Sequence, residues 1–564
     1  MEYIDWIILV ATLVFIVAYG TYKTRKSSGV EDYIRGGNTS KWWTVGLSVM
    51  ATQASAITFL STTGQGFYSG MGFVQFYFGL PIAMVIICLV FIPIYHKLKV
   101  YTAYEYLETR FDLKTRTLAA ILFLIQRSLA AGITIYAPAI ILSAVLGWDL
   151  TALNIVIGII VIIYTVSGGT KAVSITQKQQ MAVIFLGMFI AFFLILDKLP
   201  EEVNFSDALR IAGANNKMKL LDFSFDFNNR YTVWSGLIGG TFLMLSYFGT
   251  DQSQVQRYLS GKNIREMQMG LLFNGALKIP MQFFILLVGV MVFVFYQFNS
   301  APLHFNPEAE IAVASSPYRI DYQNVQQKLN KVQALQKETA LAYVRNPENQ
   351  TTRSLIAKYK AQDLKLRDQA KAIISKAAPD VENNDKDYVF IHFILNNLPN
   401  GLIGLLLAVI LSAAMSSTAS ELNALGSTTA IDLYKRNMTE DKGEAHLVKA
   451  TKGFTLLWGI LAIIVACTAS LFENLIQLVN IIGSIFYGNI LGMFLLAFFI
   501  KQVKSNAVFI AALITQATVG ILYALIHFDI ISLPFLWLNV IGCLMVMGLA
   551  VVLQFGFRNP EARV

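Results

Sequence analysis

Cysteine is nearly absent from this chain. Cys88, Cys467 and Cys543 are the only three in 564 residues. Each lies inside an apolar run, so neither a disulfide framework nor a thiolate metal site is expected. Charge is also scarce: 14% of residues are Asp, Glu, Lys or Arg, against about 25% in an ordinary soluble domain. No G-x-x-x-x-G-K-[ST] phosphate loop occurs, which argues against an ATP-driven pump. The net charge of +9 needs no nucleic acid to explain it, because much of the basic excess falls in short loops between apolar runs. No nucleic-acid partner is expected.

Hydrophobic residues make up 55% of the chain. Runs of about 20 apolar residues recur, each long enough to cross a hydrocarbon core of roughly 30 Å as a helix. Thirteen spans are predicted, at 4–22, 42–63, 72–98, 119–146, 150–167, 178–197, 232–250, 268–297, 389–431, 448–471, 478–500, 506–527 and 533–556. The first span follows acidic "MEYID", lacks a basic flank before it and carries its positive residues after it, so it reads as a retained anchor. The basic loops "YKTRKSS" (22–28), "HKLK" with "ETRFDLKTR" (96–116), "RYLSGKNIR" (257–265), "YKRN" (434–437) and "KQVK" (501–504) all fall on one side of this span list. By the positive-inside rule that side is cytoplasmic. The N-terminus is then periplasmic and the C-terminus cytoplasmic. High polarity of the region after Asn299 and the lack of eukaryotic targeting signals fit a multi-pass protein of a bacterial inner membrane, with the lipid bilayer as its solvent.

Residues 299–388 depart from the membrane pattern. Two helix-like stretches, "YQNVQQKLNKVQALQKETALAYV" and "TTRSLIAKYKAQDLKLRDQAKAIISKA", flank the breaker "RNPENQ", so a helical hairpin outside the membrane is predicted. Few aromatics are available to anchor an interface. A solvated hairpin resting on the periplasmic surface is therefore preferred to its alternative, a docking site for a periplasmic partner.

Polar residues inside the spans carry more information. In "LSAAMSSTASELN", Ala413, Ser416 and Ser417 stand at i, i+3 and i+4 and share one helix face. Two hydroxyls and a backbone carbonyl are hard ligands, and without a carboxylate they suit a monovalent cation better than calcium. Small-residue faces also serve close helix packing, and on these residues alone both readings stand. The span "GLSVMATQASAITFLSTTGQG" (46–66) is interrupted by Thr52, Gln53, Ser55 and Thr58. Discontinuous polar helices of this kind release carbonyls that coordinate coupling ions near the bilayer midplane.

The chain resembles the sodium:solute symporter family, and within it the branch of iodide, monocarboxylate and vitamin carriers. The resemblance rests on "SAITFLSTTGQGFYSGMGFVQFYFGLP" (55–81), "YEYLETRF" (104–111), "GITIYAPAIIL" (132–142), "SGGTKAV" (167–173), "DQSQVQRYL" (251–259) and "MSSTASELNALGSTTAIDLY" (415–434). It covers nearly the whole length apart from 299–388. It implies an all-α polytopic membrane protein with a leucine-transporter-type core of two five-helix inverted repeats, and transport without enzymatic activity. The implied organisation is an N-terminal extra helix and cytoplasmic loop at 1–41 and a first repeat at 42–197. An extracytoplasmic loop at 198–231 precedes a second repeat at 232–500, interrupted by the 299–388 hairpin, and extra C-terminal helices occupy 501–564. Carried over residue by residue, the family's main sodium site falls on the carbonyls of Ala51, Ala54 and Ala413 and the hydroxyls of Ser416 and Ser417.

The chain also departs from the family. Many members carry "WTD" plus a glutamine after the Gly-Gly loop, and their aspartate helps hold a second sodium or a proton. Here the stretch reads "SITQKQQ", with Gln177 in place of the aspartate and Gln180 retained, while Ala419 interrupts the serine run that keeps Ser420. A neutral amide cannot balance a second cation, so Na+ is expected at one site only. Ile57 and Thr58 stand where sugar carriers of the family use charged or amide side chains, which speaks against a hexose. Lys278 matches a family substrate-cavity lysine.

Arg127 and Lys278 each lie about ten residues into a span. A buried charge there costs a few kcal/mol unless paired, and a carboxylate or other small anion is an apt partner. Snorkelling to the interface is the plain alternative. Tyr247 matches the tyrosine closing the inner exit of a sugar-carrying relative, and Gln53 its hydrogen-bonding partner. Phe73, Gln75 and Phe76 are placed to line the cavity, and Asp251 is expected to pair with Arg257. The predicted function is sodium-coupled uptake of a small organic solute, an anion or carboxylate, by alternating access. A membrane sensor acting through the hairpin, a symporter of a neutral sugar or amino acid, and a passive channel are the alternatives; the tail "FRNPEARV" is too short for a signalling domain.

Overall fold

The computed structural model describes residues 2–24, 30–226, 229–379, 381–438, 442–468 and 474–556. The basic loop at 22–28 beyond Thr24, the end of the span at 448–471 and the tail 557–564 lie outside the described residues. Among the described residues the architecture is helical without strands, apart from one isolated bridge between Ser40 and Gly261. Ten helices among the described residues are long and apolar enough to cross a membrane, and Tyr3–Ile16 and Ser235–Gly249 are shorter apolar helices. Each of the thirteen predicted spans overlaps a helix, and those at 42–63 and 389–431 are interrupted. Large apolar side chains such as Leu89, Ile163, Phe193 and Ile521 stand exposed on the bundle surface, as lipid-facing positions require.

Three interruptions of these helices position the site. The span at 42–63 is two helices, Trp42–Gln53 and Ala56–Ser69, separated at Ala54 (φ −85, ψ 75) and Ser55 (ψ 176). Neither Pro nor Gly marks this break; it falls among Thr52, Gln53 and Ser55, whose short polar side chains compete with helical backbone bonds. The helix Leu150–Asp197 is divided at Gly169 (φ 56, ψ −166). Only glycine fits there, because a Cβ would meet the Tyr33 ring at 2.6 Å. The span at 389–431 is likewise two pieces, Val389–Asn397 and Leu402–Thr428. The start of the second is capped from the N-terminal helix, where Asp5 Oδ1 accepts from the Gly401 and Gly404 amides at 2.6 and 3.0 Å. A buried capping carboxylate on another helix fixes the depth at which Leu402–Thr428 begins.

The helix Ile264–Phe298 lies along the broken helix. A Cβ on Gly289 would come within 2.1 Å of the Thr63 carbonyl oxygen, so the two backbones are in direct contact, as small residues allow in membranes.

The hairpin is present as expected, with helices Arg319–Arg345 and Gln350–Ala377. Asn349 from the predicted breaker caps the second, accepting from the Thr351 and Thr352 amides at 2.9 and 3.3 Å. A short helix, Pro307–Ala314, precedes them. Leu303, Val313, Tyr322, Leu329, Ala370 and Ile374 form a small core of their own. The hairpin is fastened to one end of the bundle by Gln333 to the Ala301 carbonyl (3.0 Å), Lys360 to the Asn215 carbonyl (2.6 Å) and an ion pair of Lys371 with Asp385 (3.3 Å).

Candidate ion and solute site

The break at Ala54–Ser55 faces the middle of the helix Leu402–Thr428. Ser416 Oγ donates to the Ala51 carbonyl at 3.3 Å. Ser417 Oγ donates to the carbonyls of Ala413 and Ala414 at 3.1 and 3.2 Å. Ala51, Ala54, Ala413, Ser416 and Ser417 are all buried. Two of the expected ligand pairs are therefore in contact, and Ala54 is the residue at which the helix opens. The arrangement is a neutral group of carbonyl and hydroxyl oxygens, suited to a small hard monovalent cation.

A cavity of about 660 Å³, its open mouth included, adjoins these residues. Its wall carries Gln53, Ile57, Thr58, Phe76, Arg127, Tyr247 and, from the ion-ligand group, Ser417. The cavity and the cluster of carbonyl and hydroxyl oxygens are thus neighbours.

Gln75 and Lys278 are not on this wall, contrary to expectation. The whole Gln75 amide is engaged with loop backbone: Nε2 donates to the Gly72 and Tyr231 carbonyls (3.1 and 2.9 Å), and Oε1 accepts from the Asp222 amide (2.8 Å). Its work is to hold the loop near 222–231 over the end of the bundle. Lys278 is fully buried on the helix Ile264–Phe298. Its ammonium lies 6.0 Å from the Tyr77 ring centroid, and it is Tyr77 that reaches the cavity. Lys278 Nζ has no hydrogen-bond partner among the described residues. Phe73 also sits behind the wall, stacked on Phe76 at 5.4 Å.

Arg127 reaches the cavity but is not free to act as a lone cation. It forms buried ion pairs with Asp251 and, at 3.0 Å, with Glu421. The Tyr487 hydroxyl accepts from Arg127 at 2.6 Å and donates to Asp251 at 3.0 Å. The expected pairing of Asp251 with Arg257 is therefore replaced. Asp251 lies between the helices Gly240–Gly249 and Gln252–Tyr258 and caps the second, one oxygen accepting from the Ser253 amide at 2.9 Å, while the other turns to Arg127. Arg257 instead points to neutral partners, with Gln256 Oε1 at 3.3 Å and the Thr170 carbonyl at 3.4 Å.

Tyr247 also differs from expectation. Its hydroxyl accepts from Gln254 at 2.6 Å, because the short helix after Asp251 folds Gln254 back alongside it. Gln53 Oε1 is buried without a hydrogen bond. Arg127 lies over the Tyr247 ring at 5.4 Å, which ties the tyrosine to the charged cluster.

Gln177 fills the space beside Ser420. Its Nε2 donates to Thr52 Oγ1 (3.1 Å) and Ser420 Oγ (3.0 Å), and its Oε1 accepts from Ser48 at 2.5 Å. Gln180 is buried nearby along the same helix with neither amide atom hydrogen-bonded.

Glu421 and Tyr487 were not singled out from the sequence. Glu421 had a signal that could have found it: it is a carboxylate within a span, four residues after Ser417 and so on the same helix face. Tyr487 had none, since nothing local distinguishes it from other tyrosines in apolar helices.

The chain is similar to several known proteins. The model of the sodium:solute symporter family matches residues 33–322 and 368–515, so the part that the family pattern skips is narrower than 299–388. The human sodium/iodide cotransporter is 27% identical over 481 residues, 85% of this chain and 62% of that protein. The human sodium-coupled monocarboxylate transporter 1 is 27% identical over 504 residues, covering 89% of this chain and 70% of that one. The sodium/sialic acid symporter SiaT of Proteus mirabilis is 24% identical over 556 residues, 97% of this chain and 93% of the other. The structure of a Na+-coupled sialic acid symporter in a substrate-bound outward-open state superposes with TM-score 0.74 at 23% identity, over 99% of this chain and 98% of that chain. The fold is that of leucine-transporter-type secondary carriers, and these relatives transport solutes and are not enzymes. On the family pattern, matched along most of its length, the chain belongs to the sodium:solute symporter family.

Proposed function

We propose that this protein couples inward movement of one sodium ion to uptake of a small organic anion by alternating access. The observation that carries the reading is the opening of the helix at Ala54–Ser55 opposite Ser416 and Ser417, directly beside a cavity. Carbonyls of Ala51, Ala54 and Ala413 and the two serine hydroxyls are the sodium ligands. Occupying that cluster ties the broken helix to Leu402–Thr428, so sodium favours the outward-open state through its differential affinity. The membrane potential adds about 2.3 kcal/mol per charge per 100 mV. The Gln177 amide, joined to Thr52, Ser420 and Ser48, supports a single sodium. The hairpin end faces the periplasm of a bacterial inner membrane in this reading. Tyr247 and Gln53 flank the inner exit, and Ile57 and Thr58 contact the solute.

An anionic solute is supported by relatives named for iodide, monocarboxylates and sialic acid. One observation favours a second reading. Arg127 is balanced by Asp251 and Glu421, so this part of the wall carries no excess positive charge and suits a neutral or zwitterionic solute. The test is uptake into proteoliposomes of labelled short monocarboxylates, sialic acid, pantothenate, proline and hexoses, with and without an inward sodium gradient. Sodium-driven accumulation of an anion supports the first reading, and of proline or a hexose the second. Uptake indifferent to sodium overturns both and returns the chain to the channel or sensor alternatives.

A further inference from the structure

A second cavity lies where the hairpin meets the end of the bundle, some 590 Å³ with its mouth included. It shares no lining residue with the cavity beside the helix break. Tyr68 and Thr58 mark the two cavities on one helix, ten residues and so about 15 Å apart. One wall is aromatic, formed by Phe67, Tyr68, Phe293 and Tyr296. Facing it are Lys217 from the loop before the second repeat, and Lys360 and Arg367 from the hairpin.

The charges do not balance. Arg367 is paired with Asp363 at 2.8 Å, the single carboxylate on the wall. Lys217 donates to the Tyr68 carbonyl at 2.6 Å and lies 4.6 Å from the Phe293 ring centroid. Lys360 donates to the Asn215 carbonyl at 2.6 Å. Neither lysine has an ion-pair partner among the described residues, and Lys217 is 5% exposed. Burial pushes the Lys217 ammonium down to about 7, and the nearby charge of Lys360 pushes it the same way, while Asp363 opposes them only in part. An ammonium desolvated in this manner is stabilised by an anion beside it.

We propose that this pocket is a binding site for a small organic carboxylate, with Lys217 and Lys360 holding the carboxylate and the Phe67, Phe293 and Tyr296 rings its flat apolar body. Aromatic faces take up apolar surface and two ammonium groups select negative charge, which no neutral isostere satisfies. Gln333, Gln336, Lys360 and Asp363 on its wall lie within 323–367, the part of the chain that the family pattern skips. The wall thus joins residues inside the family-matched part, Lys217 and the rings among them, to hairpin residues outside it, and the proposed site needs neither sodium nor the midplane cavity.

The test is ligand-observed 19F NMR of 4-fluorobenzoate with the purified full-length protein in nanodiscs, in sodium-free choline buffer. Saturable broadening is expected. It should be at least ten-fold weaker for 4-fluorobenzamide and for Lys217→Gln, and equally so for Lys360→Gln, a change on the partly exposed hairpin that leaves the buried core intact. Ser417→Ala should leave the binding unchanged. Absent broadening, binding indifferent to both lysine substitutions, or binding lost with Ser417→Ala overturns the proposal. A failure of sodium-driven uptake leaves this experiment unaffected, so the two readings fail separately.

Discussion

Gln177 Nε2 lies 3.0 Å from Ser420 Oγ, so a neutral amide bridges the kinked helix Leu150–Asp197 to the serine-bearing helix Leu402–Thr428. The same nitrogen reaches Thr52 on the broken helix at 3.1 Å. Three helices thus meet on one uncharged side chain. A carboxylate in this position would leave the surrounding hydroxyls facing a negative charge, and a cation would be the natural occupant. Sodium activation of uptake is expected to follow a Hill coefficient near one in the wild type, rising towards two in Gln177→Asp. A wild-type coefficient near two would show that sodium binds somewhere beyond the Ser416–Ser417 cluster.

Removing one hydroxyl from the proposed sodium cluster is expected to weaken sodium binding without removing the cavity. Ser417→Ala and Ser416→Ala are each expected to raise the sodium concentration for half-maximal uptake about ten-fold, or about 1.4 kcal/mol. Flux at saturating sodium should change much less. Titration of uptake against sodium at fixed membrane potential measures it; a lowered maximal flux with unchanged sodium affinity would place these hydroxyls in packing alone.

Arg127, Asp251 and Glu421 form a buried cluster in which one cation meets two carboxylates. Arg127→Met leaves both acids without their counter-charge, which typically costs about 3–5 kcal/mol. Glu421→Gln preserves the Arg127–Asp251 pair and should cost less. Thermal unfolding in detergent is expected to rank wild type, Glu421→Gln and Arg127→Met in descending stability. Equal stability of all three would mean that water or lipid already screens the cluster.

Glu108 joins three segments, accepting from Arg116 and Arg436, both at 2.7 Å. Partial burial pushes its carboxyl up, but hydrogen bonds from the two arginines outweigh this and hold it below the ordinary value of 4.5. A carboxylate with a lowered folded-state pKa adds stability that is full above its unfolded value and fades as pH falls below that value. Wild-type thermal stability should therefore drop from pH 6 to pH 4 more than that of Glu108→Gln. The difference should stay within about 1 kcal/mol, since the group is partly exposed. Parallel pH profiles would remove Glu108 from the acid response.

The polar residues at 52–55 marked where a helix would open, and the structure opens it there, at Ala54 and Ser55. The hairpin was readable for a similar reason: its polarity and the Asn-Pro pair at 346–347 act over a few residues. Side-chain partners were read less well. Gln53 for Tyr247 and Arg257 for Asp251 were chosen by family position and by nearness in sequence, and both choices fell to neighbours brought in by the fold. Gln75 and Lys278 had the right chemistry for the cavity but lie on faces turned to a loop and to an adjoining helix.

The sequence by itself determined the membrane location, the helix break and the small hydroxyl-bearing face, because each depends on hydrophobic length or local backbone competition within one segment. Only the tertiary structure decided which charges meet. Arg127, Glu421 and Tyr487 come from three separate helices and Asp251 from a junction between two others, and the lysines and rings of the pocket under the hairpin likewise come from distant segments. An intramembrane charge binds whatever opposite charge the packing brings within about 3 Å, and packing across hundreds of residues leaves no local trace in the chain.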